Sequence, residues 1–320
     1  MGSATFALPS LDGLFETGYT LTGVITQPDK PTGRGRLLQP TPVKKRAYEL
    51  QLPVHQPASL KTEETRELIR ALSPELIVVV AYGKILPSWL LQFPMHGCVN
   101  VHGSLLPKYR GAAPVHWAIA NGEERTGVCT MLLDEGLDTG AVFLCEETGI
   151  GPDESTPELY DRLAAMGAPL VVKTVEGILA GTLKPKPQDE SQATVAPILK
   201  KEDGFLNWTR TAKEIYNRVR ALNPWPGTVT MFRGTNCKIL KSVVVAVYDR
   251  PGSGGHRPPL QFEPGTVVAT KGRLIVMCGD GVPLEILSIQ PENRKTVSGA
   301  DFANGARIQA GEKFEAVMDN

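Results

Sequence analysis
Over the first 180 residues, short apolar runs alternate with amphipathic stretches. Thr20 to Thr26, Leu76 to Val80, Cys98 to His102 and Thr126 to Leu132 have the length and β-branched composition of strands. Pro42 to Gln51, Thr62 to Leu72 and Pro114 to Ala120 carry apolar residues at helical spacing between them. This alternation predicts a Rossmann-like, doubly wound parallel sheet with helices on both faces. Ser155-Thr156-Pro157-Glu158 pairs a hydroxyl cap with Pro at the first helical position, and the helix it opens is predicted to run to Leu179. The stretch from Gly181 to Asp203 is too rich in Pro and polar residues to pack and reads as a linker.

The texture changes after the linker. A helix is predicted over Thr211 to Ala221, followed by β-rich runs at Gly227 to Phe232, Lys238 to Tyr248, Gly265 to Thr270, Arg273 to Cys278 and Glu285 to Gln290. Short strands at close spacing with Gly and Pro turns predict a small OB-like β-barrel. Residues 251–259 read as a surface loop without chemistry. The expected organisation is thus a catalytic domain over 1–180, a linker over 181–203 and a C-terminal β-barrel domain over 204–320.

Two polar residues stand out within the first pattern. In Cys98-Val99-Asn100-Val101-His102 the period of two sends Cys98, Asn100 and His102 to one face. An amide and an imidazole at the end of a buried strand need buried partners or a substrate. Gly103-Ser104 and Pro107 put the pair where strand gives way to loop, which is where open α/β sheets bind ligands. A second strand ends in Asp134-Glu135-Gly136-Leu137-Asp138, so a carboxylate is expected beside His102, but the pattern does not decide between Asp134 and Asp138.

Composition narrows the setting. The 320 residues are 42% hydrophobic and 21% charged, enough for more than one core, and the net charge is zero. Cys98, Cys129, Cys145, Cys237 and Cys278 are scattered and odd in number, so neither a disulfide framework nor a zinc site is expected. With no leader-like opening and no apolar run of membrane length, the expectation is a cytoplasmic protein that does not use a membrane. No metal is expected either, since no ligand cluster is present, and a monomer is the expectation for its assembly. Charge is nonetheless uneven: six basic residues against two acidic ones from Gln27 to Leu50, and eight against two from Phe205 to Arg250. Such segments on a neutral chain predict a local polyanion contact.

Asn100-Val101-His102, Ser104-Leu105-Leu106-Pro107, Arg110-Gly111-Ala112-Ala113-Pro114 and Gly136-Leu137-Asp138-Thr139-Gly140 together resemble the formyltransferases that use 10-formyltetrahydrofolate. Gly33-Arg34-Gly35-Arg36 and Asn223-Pro224-Trp225-Pro226 are similar to the methionyl-tRNA branch of that superfamily, and the likeness spans nearly the whole chain. The resemblance implies formyl transfer from the folate to the α-amino group of methionyl initiator tRNA for translation initiation. It implies Asn100, His102 and Asp138 as catalytic residues. Ser104, Leu105, Leu106, Pro107, Val80, Tyr82, Gly83 and Leu137 would line the folate site. Arg34, Arg36, Lys44, Lys200 and Lys201 would contact tRNA. The alternatives are a sugar-nucleotide formyltransferase, which has no need of the Arg34 loop, and an inactive tRNA-binding relative.

The chemistry suits these residue types. An α-amino group, with a reference pKa of about 7.7 to 8.0, is partly neutral near pH 7, so the demanding step is holding the tetrahedral intermediate. Asn100 and His102 supply donors for its oxyanion, and Asp138 can take up the amine proton and orient His102. One departure concerns the opening. Met1-Gly2-Ser3-Ala4-Thr5-Phe6-Ala7 resembles the turn that normally follows the first strand of such a domain, so that strand is expected to be missing and its neighbours' edges unpaired. The accompanying expectation is that Met1 is an internal Met of a longer chain or that this copy is impaired.

Overall fold
The computed structural model describes residues 1–32, 37–245, 262–269 and 272–317. They divide into two compact units. The first holds Met1–Val115, Arg125–Ile150 and Pro157–Pro197; the second gathers His116–Glu124, Gly151–Thr156 and the chain from Ile198 onward.

The first unit opens with helix α1 (Leu8–Glu16), followed by strand β1 (Val24–Ile25), helix α2 (Pro42–Glu49), strand β2 (Val54–His55), helix α3 (Glu63–Leu72), strand β3 (Ile77–Val79) and strand β4 (Cys98–His102). The α2 and α3 starts follow from local chemistry: the Thr41 hydroxyl accepts from the Lys44 N–H, and the Thr62 hydroxyl from the Thr65 N–H. β5 (Arg125–Leu132) and β6 (Val142–Gly149) complete the sheet, and helix α4 (Thr156–Leu179) starts at the predicted cap.

β1 pairs parallel with β2, and β3 parallel with β4. The remaining pairs, β4 with β5 and β5 with β6, are antiparallel, so the sheet is mixed where alternation alone suggested parallel strands. The long β5–β6 hairpin needs no crossover helix, which permits the reversal. β6, an edge strand, has no buried residue, and its apolar run from Val142 to Cys145 is not among the runs predicted as strands.

The sheet is in two pieces. β1–β2 and β3–β4–β5–β6 are separate ladders; Met1, Gly2 and Ser3 lie between them and bond to both sides, with Gly2 bridging Val80. Ladder pairing therefore covers Val24–Ile25 of the predicted Thr20–Thr26 run, and Thr26 adds one further bond to His55, while Thr20 to Gly23 lies outside any strand among the described residues.

Two further expectations are corrected by tertiary pairing. The Pro-rich stretch after Gly181 is not an unpacked tether. Lys186 bridges Val142, and Val195–Ala196 pairs parallel with Arg110–Gly111, so this strap satisfies its backbone on exposed edges of the first unit. Cys129 and Cys145, directly opposite in the β5–β6 register, form a disulfide. Spacing along the chain cannot reveal such a pairing, because it depends on strand register. Cys98, Cys237 and Cys278 are free and buried.

The second unit carries helix α5 (Ala212–Leu222) with strands β7 (Thr228–Phe232), β8 (Thr235–Val244), β9 (Val267–Ala269), β10 (Ile275–Met277), β11 (Pro283–Pro291) and β12 (Phe314–Glu315). Their order is β9-β10-β11-β8-β7-β12, and a bridge from Thr266 to Lys313 brings the two ends together as a barrel. The core includes Trp208, Ile215, Phe232, Ile239, Ile286 and Phe314. Each such aliphatic or aromatic side chain contributes about 1.5–3 kcal/mol on burial. A capping box between Thr211 and Glu214 starts α5. The loop predicted over 251–259 lies outside the described residues.

Candidate active site
β4 delivers Asn100 and His102 to one end of the first unit's sheet. His102 is buried, whereas Asn100 is half-buried between buried valines on the opposite face. The His102 Nε2 lies 2.9 Å from the Tyr109 carbonyl oxygen. A carbonyl only accepts, so this nitrogen carries a proton and the ring's exchangeable position is Nδ1. That Nδ1 faces Asp138 Oδ2 at 3.6 Å, with 6% and 13% of the two side chains exposed. The Asn100 side-chain amide makes no hydrogen bond among the described residues, which leaves its donors free for a bound group.

The geometry separates the two candidate carboxylates. Asp134 Oδ1 accepts from the Gly136 N–H at 3.1 Å and the Thr139 hydroxyl at 2.8 Å, an exposed turn staple. Asp138 instead turns inward, with φ of 53°, a left-handed conformation that Asp tolerates better than most residues. The Gly111 N–H donates to its Oδ2 at 2.8 Å, and its Oδ1 has no hydrogen bond among the described residues.

Two residues that the pattern did not mark as site residues hold this loop. The Gln188 side-chain amide donates to the carbonyls of Asp138 at 2.8 Å and Gly140 at 2.7 Å. Its Oε1 in turn accepts from Arg110 Nε at 3.1 Å and Nη2 at 2.9 Å, and the buried Arg110 guanidinium also pairs with Glu190 at 2.7 Å. Glu190's carboxyl lies below its usual pKa range chiefly because of the hydrogen bonds from Arg110. A polar amide directly after Pro187, in the stretch read as a linker, was the available signal for Gln188.

The folate-site candidates are variously placed. The fully buried Ser104 hydroxyl donates to the Lys108 carbonyl at 2.6 Å, closing the turn that carries Leu105, Leu106 and Pro107. Tyr82 is buried, its hydroxyl has no partner among the described residues, and its carbonyl accepts from Gln27 Nε2 at 2.7 Å. Gly83, with φ of 77°, has this same Gln27 amide against it, so a side chain there would collide. Val80 is buried beside Gly2, and Leu137 is 58% exposed at the tip of the Asp138 loop.

Among the basic candidates, Lys44 is paired with Asp29 at 2.7 Å, so its charge is partly neutralised locally. Lys200 and Lys201 are exposed at the start of a short helix of the second unit. Arg34 and Arg36 lie outside the described residues. The flanking segments Lys30–Thr32 and Leu37–Gln39 pair as an antiparallel hairpin, on which Leu37 and Leu38 are exposed.

A family model for the formyl transferase matches residues 2–175, and a model for the formyl transferase C-terminal domain matches residues 198–307. The chain is 46% identical to the methionyl-tRNA formyltransferase of Solibacter usitatus over 314 residues, covering 98% of this chain and 97% of that protein. It is 42% identical to the Bacillus subtilis enzyme of the same name over 313 residues, covering 98% and 95%. Among solved structures, an N-formyltransferase from Helicobacter canadensis in complex with folinic acid and dTDP-3-aminofucose has a TM-score of 0.62. That match has 20% identity and covers 89% of this chain and 96% of that one; it shows a shared fold.

Proposed function
The chain belongs to the methionyl-tRNA formyltransferases, and from that premise we propose that Asn100, His102 and Asp138 move the formyl group of 10-formyltetrahydrofolate onto the α-amino group of methionyl initiator tRNA. The observation that carries this reading is the free Asn100 amide on the strand whose His102 faces Asp138 at 3.6 Å.

The neutral amine attacks the formyl carbon, forming the C–N bond while the carbonyl electron pair moves onto oxygen. Asn100 Nδ2–H donates to that oxyanion. Losing a preorganised donor of this kind typically costs about 2.7–4 kcal/mol. The attacking nitrogen is now cationic and sheds a proton to the Asp138–His102 pair. Asp138 Oδ1 receives it directly or through a water, and His102 Nδ1 can hold it as an imidazolium stabilised by the carboxylate. Because Nε2 is committed to Tyr109, His102 acts through Nδ1, and oxyanion donation falls mainly to Asn100. Collapse of the intermediate breaks the bond to folate N10, which takes up a proton as it leaves, and the product is a formamide. No step requires a metal.

In this reading the turn from Ser104 through Leu105, Leu106 and Pro107 contacts the folate, closed from within by the Ser104 bond to Lys108, while backbone near Val80, Tyr82 and Gly83 and the Leu137 loop line the pterin pocket. Arg34 and Arg36, carried between the two strands of the Lys30–Gln39 hairpin, contact the acceptor end of the tRNA. Lys200, Lys201 and the basic barrel hold its body, which makes affinity salt-sensitive. Lys44, already paired with Asp29, contributes less than its charge suggests. The protein works as a cytoplasmic monomer. Supplying 10-formyltetrahydrofolate with either charged initiator tRNA or an amino-sugar nucleotide tests the reading: formyl-methionyl-tRNA is expected, and formylation of the sugar alone would refute it.

A further inference from the structure
Exposure separates the four tryptophans. Trp208 is 3% exposed and donates its Nε1–H to the Thr230 hydroxyl at 2.9 Å. Trp89 and Trp117 are half-buried; Trp89 donates to the Leu60 carbonyl at 3.1 Å and carries the Arg66 guanidinium over its ring. Trp225 is 61% exposed, and its indole has no hydrogen-bond, ring or cation partner among the described residues. The chain on either side of it is nonetheless anchored. Before it, the Asn223 side-chain amide donates to the Val219 carbonyl of α5 at 2.7 Å and to the Ile239 carbonyl of β8 at 3.1 Å. After it, Pro226 and Gly227 are buried, and the Gly227 N–H donates to the Leu222 carbonyl at 2.8 Å. Pro224 and Pro226 each fix their own φ on the two sides of the indole. A large ring held in water on such a loop forgoes the burial that Trp ordinarily gains, and little ordering entropy is left to lose when a partner covers it.

The surface around this loop is basic. Gly204 packs so closely on Pro226 and Gly227 that a side chain there would strike the Gly227 carbonyl, and this contact sets the segment of Lys200 and Lys201 against the loop. The exposed Lys238 runs beside Gly227, and the Arg218 guanidinium reaches the Asp203 carbonyl at 2.5 Å. Against these four cations stand two carboxylates, Glu202 and Asp203, and Asp203 is already committed to the Lys200 N–H at 2.7 Å. We infer that Trp225 is a stacking platform for an unpaired nucleobase of the bound tRNA, with Lys200, Lys201 and Lys238 on the adjoining phosphates. The inference rests on the tRNA reading above and adds a base contact to a surface otherwise made of charge. A flat apolar ring alone would suit an apolar peptide equally well. The cations around it select a polyanion, and nucleic acid is a polyanion whose units carry flat rings of their own. RNA offers such bases in loops and bulges, where they leave the helical stack and settle on aromatic side chains. A phosphate chain without bases would satisfy the lysines and leave the indole in water.

The test titrates the whole protein with initiator tRNA, reading affinity by filter binding at several salt concentrations and tryptophan emission in parallel. Inorganic polyphosphate, which has the charge but no bases, is the control ligand. Trp225→Ala is expected to weaken tRNA binding about tenfold at every salt concentration, with the wild-type slope of affinity against salt, because stacking releases no counterions. Trp225→Phe, which keeps a ring, should recover most of the affinity. Lys200→Ala should instead flatten the slope by about one and keep the emission change. Bound tRNA should quench the wild-type emission, polyphosphate should not, and Trp225→Phe should lose the quenching even where it binds. Wild-type affinity in Trp225→Ala would overturn the proposal, as would equal quenching by polyphosphate, or quenching that persists in Trp225→Phe. A wild-type protein that binds no tRNA would overturn the tRNA reading itself, whereas wild-type binding without quenching would overturn the role of Trp225 alone.

Discussion
Gln188 holds Asp138 from behind: its side-chain amide donates to the Asp138 carbonyl at 2.8 Å, while the side chain of Asp138 faces His102 on the other side of the loop. The strap that carries Gln188 thus reaches the proposed proton acceptor through its backbone. Gln188→Ala is expected to lower kcat about tenfold, the equivalent of about 1.4 kcal/mol, with little change in KM for either substrate. Steady-state kinetics check this. A raised KM with unchanged kcat would assign Gln188 to binding instead.

Asp138→Asn keeps an oxygen to accept from the Gly111 N–H, so folding should be preserved while the proton acceptor is lost. The turnover of this variant should fall by about 100-fold or more, within the usual range for general base catalysis. Rapid-quench measurement of formyl transfer, with Tm recorded alongside, separates the two effects. An Asp138→Asn enzyme with wild-type turnover would remove the carboxylate from the mechanism.

The pattern of apolar and polar residues made much of the first unit legible. Ser155-Thr156-Pro157 announced its helix because a cap is a local device, and Asn100 and His102 stood out because a strand face exposes any polar exception. What stayed hidden depends on pairing at long range. The Asp134 and Asp138 carboxylates are chemically alike, and only the fold turns one into a staple and the other toward His102. Register likewise decided the Cys129–Cys145 disulfide, and edge pairing turned the Pro-rich stretch into a strap.

The free cysteines give a check on burial. Burial pushes the Cys98 thiol up to about 12, Cys237 to about 11 and Cys278 to about 12. At pH 8 each is almost wholly protonated and shielded, while Cys129 and Cys145 are held in their disulfide. Iodoacetamide should therefore leave the native protein essentially unlabelled, and denaturation without reductant should expose three thiols, as mass spectrometry would show. Five reactive thiols after denaturation would contradict the disulfide.

Arg34→Ala should raise KM for tRNA severalfold and flatten its salt dependence, with KM for the folate unchanged, because a phosphate contact acts mainly through charge. Kinetics at two ionic strengths measure both effects. Unchanged tRNA kinetics would sever the hairpin from tRNA binding.

Assignment of the oxyanion to the free Asn100 amide is tested by single-turnover formylation of methionyl initiator tRNA by wild type and Asn100→Ala, with tRNA and folate affinities measured separately. A rate loss of about 100- to 1,000-fold with both affinities nearly intact is the predicted result. A variant that transfers the formyl group at the wild-type rate would contradict it.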